Sequence, residues 1–269
     1  MSRTVLITGA GGGLGHATTN VFADRGWTVL AADLTKPAAT PGVIPLEIDV
    51  TDTHSVSTAM ADAERHAPDG LDAIVTFAGI MRVGSVVEID EDELRQLIDV
   101  NLLGTYRAVK AALPLIQRGR GRVITISSET GWQKALMLNG PYAITKHAVE
   151  AYSDALRREL MFLDIPVSTI RPGPFRTDMV DGISSAFDHA AANSTLFPEL
   201  IGRVGALAVK EQARAHDPSV LADVVWRAAT TTRPRAHYSV RADLRRSLLH
   251  FIPSPVVDRL LKTMFARRS

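Results

Sequence analysis

The stretch GPYAITKHAVEAYSDALRREL, residues 140–160, carries a tyrosine and a lysine four positions apart, Tyr142 and Lys146. On a helix these positions lie on one face, one turn apart, so both side chains can address the same small volume. An unperturbed phenol, with a pKa near ~10, is a poor base at neutral pH, and a neighbouring cation favours its ionised form. Lowering such a pKa by about three units takes roughly 4 kcal/mol. An ammonium held close in a partly dry site can supply that scale. The same spacing also fits a half-buried tyrosine beside a lysine whose stem snorkels to water. The rest of the chain has to decide between the two.

A second group of residues points to an anion. Thr8-Gly9-Ala10-Gly11-Gly12-Gly13-Leu14-Gly15 follows an apolar run, and a helical pattern begins near Leu14. In a strand–turn–helix of this kind, missing side chains let the backbone approach a pyrophosphate, and free N–H groups of the helix face it. Asp33 lies about twenty residues further on, where an acid can bind a ribose diol. Two like charges at ~4 Å repel by about 4 kcal/mol at an effective dielectric near ~20, so an acid there rejects a 2′-phosphate. Neither Gly12 nor Leu34 offers a cation to offset this, which favours NAD over NADP. Asp49 and Val50, after the third apolar run, could meet the adenine edge; an N-cap or turn role suits Asp49 equally.

These residues must be positioned by a scaffold, and its pattern is regular. Short apolar runs at 5–7, 28–32, 43–48, 73–77, 123–127 and 167–170 read as strands, with helical patterns between them at 14–25, 54–66, 91–117 and 142–163. The alternation predicts an α/β fold, a doubly wound parallel sheet with helices on both faces. The strands are continuous apolar runs, as doubly buried strands should be. No repeat or linker divides the chain, so all 269 residues are expected to form one dinucleotide-binding catalytic domain. The net charge of +1 gives no reason to expect nucleic acid. Without cysteine there are no disulfides or thiolate metal sites, and the eight histidines show no metal-ligand spacing, so no metal is expected. The N-terminus reads as a strand and not a signal peptide, and no window is long and apolar enough to span a membrane, so a cytoplasmic location is expected.

Taken together, the motifs resemble the short-chain dehydrogenase/reductase family over residues 4–177. Thr8-Gly9-x-x-x-Gly13-x-Gly15 is similar to its cofactor turn, Asn101-Leu-Leu-Gly104 to its mid-chain Asn motif, and Ile126-Ser127-Ser128 with Tyr142-x-x-x-Lys146 to its active site. Pro172-Gly173-Pro174-Phe175-Arg176-Thr177 resembles its segment after the sixth strand. Two features depart from the pattern. Thr76-Phe77-Ala78-Gly79 stands where the family has Asn-Asn-Ala-Gly, and Ser128 precedes Tyr142 by fourteen residues where thirteen is typical. Gly131 keeps the local register, which places the extra residue between Trp132 and Pro141 and leaves Ser127 as an alternative to Ser128.

The resemblance implies a Rossmann-type fold and reversible hydride transfer between a nicotinamide cofactor and a secondary alcohol or ketone. Tyr142 would be the acid/base. Lys146, together with the positive nicotinamide, would lower its pKa, and Lys146 would bind the nicotinamide ribose. Ser128 would bond the substrate oxygen, and Asn101 would hold a water that passes protons to Lys146. Ala78, Gly79, Pro172, Phe175 and Thr177 join Gly9, Gly13, Leu14, Gly15 and Asp33 in the cofactor set, with Thr177 and the Phe175 backbone on the carboxamide. A substrate lid is expected at about 178–215, where Met179, Val180, Ile183, Phe187, Leu196 and Phe197 favour a lipophilic, steroid- or retinoid-like ligand. A basic, apolar segment follows at about 241–269, with a helix near 256–265; packing on the lid or a partner subunit is weighed there against peripheral membrane contact. A homodimer or homotetramer is expected. The alternatives are an NADP-dependent ketoreductase and a non-catalytic dinucleotide-sensing protein.

Overall fold

In a computed structural model of the chain, residues 3–177, 182–212 and 214–265 are described. The apolar runs form β1 (Thr4–Thr8), β2 (Thr28–Asp33), β3 (Val43–Glu47), β4 (Ala73–Thr76), β5 (Arg122–Ile126) and β6 (Val167–Pro172), joined by a short β7 (His237–Val240). All pair in parallel in the order β3-β2-β1-β4-β5-β6-β7. Alternation along β1 sends Leu6 to one face and Val5 and Ile7 to the other. Leu6 joins a core covered by α2 (Thr53–His66) and α4 (Gly104–Gly119). Val5 and Ile7 join one covered by α1 (Gly13–Asp24) and α8 (Pro218–Thr230). The chain leaves β1 towards β2 and β3 on one side and returns to β4 on the other. Beyond the carboxyl ends of strands at such a reversal lies the crevice where α/β sheets bind ligands.

The 91–117 pattern, read as one helix, is three pieces: α3 (Glu91–Ile98), a π-helical turn (Asp99–Leu103) and α4. The wider turn accommodates a close approach, since a Cβ built on Gly104 would stand 2.7 Å from Val50 Cγ2. Helix α5 (Gly140–Leu160) carries Tyr142 and Lys146 and starts with Pro141 in its first turn, where a missing N–H costs nothing. Helix α8 was legible but unread: Asp217 caps it by accepting from Ser219 N, and Pro218 opens it. It closes the outer face of α1 through an edge-to-face cluster of Phe22, Trp27 and Trp226, with ring centroids 5.0–5.5 Å apart.

Beyond β6 the expected lid region contains α6 (Ile183–Asn193) and α7 (Pro198–Gln212), packed on each other. Phe187 and Ile201 form a small core there with Leu138, which reaches in from the loop before α5. Leu138 has φ of 64°, a left-handed backbone that costs a non-glycine residue roughly 1–2 kcal/mol and that its burial offsets. It falls in the loop where the extra residue was expected. Met179 and Val180 lie outside the described residues. The C-terminal segment forms two helices, α9 (Leu244–Phe251), unread in the sequence, and α10 (Ser254–Phe265). Among the described residues no helix is long and apolar enough to cross a membrane.

Candidate active site

A cavity of about 810 Å³ opens beyond the carboxyl ends of β1, β2, β4, β5 and β6. Its floor is the glycine turn, and the glycines there are sterically required. Gly9 has φ of +70°, and a Cβ on it would lie 2.5 Å from Ala78 N; one on Gly15 would lie 2.0 Å from Gly9 O. A Cβ on Gly13 would lie 2.8 Å from Thr177 Cγ2. Helix α1 begins here with no side-chain cap at Gly12 and no acid in its first turn, so its leading N–H groups and positive dipole end face the cavity. Asp33, at the end of β2, accepts from Gly11 N at 2.8 Å and from Leu34 N at 2.7 Å, which pins its carboxylate at the mouth of the turn. A cradle that a Cβ at Gly9, Gly13 or Gly15 would fill, beside a helix N-terminus and an acid, fits a dinucleotide. Gly15→Ala is therefore expected to overpack the turn, costing about 1–3 kcal/mol and weakening dinucleotide binding at least about tenfold. Gly12→Ala, whose Cβ would meet Gly9 O at 3.6 Å, should leave both unchanged, as thermal melts and calorimetric titration will show.

At the far end of the cavity the catalytic candidates converge. Ser128 caps the short turn Glu129–Gly131, and its hydroxyl lies near enough to the Tyr142 phenol to favour the ionised form. Ser128 Oγ also accepts from Thr130 N at 3.2 Å and Thr130 Oγ1 at 3.0 Å, so its orientation is held from behind. Ser127 turns away and donates to Lys146 O, with its Oγ 2.4 Å from where a Gly131 Cβ would stand. Lys146 is buried, donates to Ile126 O at 3.1 Å, and lies 5.7 Å from the Tyr142 ring centroid.

The electrostatics of this pair alone, before the charge of a nicotinamide is added, do not favour ionisation. Burial pushes the Tyr142 phenol up to about 12, opposed by the Ser128 hydrogen bond. Burial pushes the Lys146 ammonium down to about 8, opposed by Glu150. The lysine does not, by itself, ionise the phenol. Both charged forms are disfavoured because both groups have left water.

Asn101 sits in the π-helical turn, fully buried, behind the cavity wall. Its Nδ2 donates to Ile80 O at 2.9 Å and Thr145 Oγ1 at 3.0 Å, and its Oδ1 accepts from Ile80 N at 2.8 Å. Its amide is spent on pinning the strand-end segment to α5. In this arrangement both of its amide donors are committed to its neighbours, which it holds in position.

The remaining predicted residues line the same cavity: Leu14, Asp49, Val50, Ala78, Gly79, Pro172, Phe175 and Thr177. Asp49 Oδ1 accepts from Thr51 N and Thr51 Oγ1, the turn role weighed for it in the sequence. A bridge to His216 uses the Arg176 N–H and the Pro174 carbonyl, not the Phe175 N–H. Thr76, where the resemblance had led to Asn, is paired across the sheet with Thr8, and both hydroxyls are buried without a partner among the described residues. Sequence reading missed Glu129 and Arg246, which also line the cavity. Glu129 accepts from Arg246 Nη1 at 3.0 Å and Asp243 N at 2.8 Å, tying the start of α9 to the residue next to Ser128. Burial pushes its carboxyl up and Arg246 pulls it back. A charged side chain directly after Ser128 was a readable signal for Glu129; Arg246 was read only as one of the basic residues of the C-terminal segment, and nothing in the sequence marked it for the cavity.

Known proteins agree with this geometry. The family described as short chain dehydrogenase matches residues 3–187. Mouse retinol dehydrogenase 7 is 31% identical over 278 residues, spanning 96% of this chain and 87% of that protein. Rat 17-beta-hydroxysteroid dehydrogenase type 6 is 30% identical over 279 residues, with the same 96% and 87%. A short-chain dehydrogenase from Streptomyces avermitilis superposes with a TM-score of 0.76 at 24% identity, covering 100% of this chain and 98% of its own, and supports the fold. With a glycine cradle, a nucleotide-sized cavity and a matching family pattern, the chain belongs to the short-chain dehydrogenase/reductase family, whose members are NAD(P)-dependent oxidoreductases.

Proposed function

We propose that the protein interconverts a lipophilic secondary alcohol and its ketone with NAD, using Ser128 and Tyr142 at the reacting oxygen. The observation that carries this reading is that Ser128, Tyr142 and Lys146 line one cavity together with the glycine turn, with the Lys146 ammonium 5.7 Å from the Tyr142 ring. A bound nicotinamide dinucleotide supplies the hydride donor or acceptor. The chain's own residues handle the oxygen and its proton. Tyr142 holds a proton at Oη and gives it to a ketone oxygen, or takes one from an alcohol. Ser128 donates to the same oxygen and steadies charge that develops there. Lys146 sets the local field and reaches the ribose, and Asn101 holds the wall in place. Asp33 is the ribose anchor and excludes a 2′-phosphate. Helices α6 and α7 form the lid; Ile183 presents an apolar side chain to the cavity, and Phe187 and Phe197 pack within the lid behind it. The similarity to dehydrogenases named for retinol and hydroxysteroids supports the same substrate class.

An absorbance screen with NAD(H) and NADP(H) over retinoids, hydroxysteroids, small alcohols and sugars tests the proposal. Turnover confined to small sugars would overturn the lipophilic assignment. Asp33→Ala should move the NAD/NADP ratio of kcat/KM towards NADP by at least about tenfold, given a repulsion of about 4 kcal/mol in the native protein. An unchanged ratio would remove Asp33 from the cofactor argument.

A further inference from the structure

Helix α9 is turned inside out. Its polar residues Arg246 and Ser247 face the protein, where Arg246 bonds Glu129 and Ser247 Oγ accepts from Gln133 Nε2 at 3.0 Å. Its large apolar residues face outward: Leu244, Leu248 and Phe251 are 79%, 67% and 77% exposed. At about 100° per residue these three fall within about 60° of one another on the helix. Helix α10 repeats the feature, with Val256, Leu260 and Met264 more than half exposed within about 80°. Consecutive helices thus present apolar stripes while specific polar bonds hold the first in that orientation.

The charge around the stripes indicates what covers them. Residues 241–269 hold seven Lys and Arg against two Asp, in a chain whose net charge is +1. Arg241, Arg245, Arg259 and Lys262 are exposed on or beside the two helices. A second copy of the segment would bring the same positive charge against itself, whereas an anionic lipid surface attracts it and accepts the apolar side chains.

We propose that α9 and α10 dock the protein on the surface of an anionic bilayer without crossing it. Arg246 of α9 lines the catalytic cavity from the inner side of the same helix, so the docked face lies one helix thickness from the substrate. That this delivers lipophilic substrate from the bilayer rests on the function proposed above; the docking itself does not.

The test is co-sedimentation of the full chain with vesicles of phosphatidylcholine alone or with about 30% phosphatidylglycerol. The native protein is expected to bind the anionic vesicles at least about tenfold more tightly, with binding weakened by salt. Leu248→Glu with Phe251→Glu should lose at least about tenfold in vesicle affinity, with unchanged melting temperature and unchanged turnover of detergent-dispersed substrate. Because the chain has no cysteine, Phe251→Cys provides a unique site for an environment-sensitive dye, expected to shift to the blue only with anionic vesicles. Native protein that stays in solution with both vesicles would overturn the proposal, as would a double variant that binds like native. So would a dye that shifts with protein concentration alone, together with a fall in particle mass in the double variant, which would assign the face to a second copy. Tyr142→Phe should still bind vesicles. Vesicle binding without any turnover would count against the catalytic reading, and turnover without vesicle binding against this one.

Discussion

Tyr142→Phe should lower kcat by about a hundred- to ten-thousand-fold, the range by which a positioned acid/base accelerates a reaction. Dinucleotide affinity should stay within about twofold of native. The substitution removes one oxygen and leaves the ring beside Lys146. The glycine turn and Asp33, the proposed anchor of the nucleotide, belong to the β1 and β2 side of the cavity, away from α5. Steady-state kinetics and calorimetric titration of NAD separate the two effects. Residual turnover above about a tenth of native would assign proton transfer to another group. Because burial pushes the phenol up to about 12, Tyr142 carries its proton at neutral pH and is prepared as an acid for ketone reduction. Use as a base towards an alcohol needs positive charge beyond that of Lys146. The native enzyme should therefore show alcohol oxidation rising with pH over a range where ketone reduction stays flat.

Lys146→Met should abolish turnover and yet raise stability at pH 7. Burial holds the ammonium near 8, below its ordinary 10.5. The folded state therefore binds fewer protons than the unfolded state between these values, and native stability climbs as pH rises through that window. Below about 8 the full cost of the buried charge is present, of order 3 kcal/mol. Methionine removes that cost and leaves Ile126 O without its donor, returning about 1 kcal/mol. The expected net gain at pH 7 is roughly 2 kcal/mol, or several degrees in Tm, shrinking towards zero or reversing near pH 10. Scanning calorimetry of native and variant from pH 6 to about 10 measures the gap. A variant less stable than native at pH 7 would show that Lys146 is a structural cation and not one held for chemistry. The comparison stops near pH 10 because Tyr142, with its raised pKa, begins to lose stability above the ordinary phenol value.

The central sheet and the cofactor floor were readable because each depends on local pattern. Five-residue apolar runs became strands, and a glycine-rich strand–helix turn became the cradle whose crowding at Gly9 and Gly15 explains those glycines. Tyr142 and Lys146 were placed on one face by helix period alone. Their pKa values were not readable, because burial is a tertiary quantity, and here it outweighs the pairing that the spacing implied. The hydrogen-bond partners of Asn101 were missed for a similar reason: Ile80 and Thr145 are 21 and 44 residues away. Strand β7, with the sequence HYSV, lacks a continuous apolar run because it is an edge strand of four residues. The orientation of α9 was not readable, because periodicity cannot say which face of a helix turns inward.

The aromatic cluster that seals α1 has a consequence for synthesis. Phe22 and Trp27 leave the ribosome about two hundred residues before Trp226, the ring that completes their packing. At about 5–20 residues per second the nascent chain carries that uncovered patch for roughly ten to forty seconds. A fragment ending at 187, the limit of the family match, never covers it. Such a fragment is expected to need chaperone capture or to aggregate, although it contains every residue assigned to the chemistry.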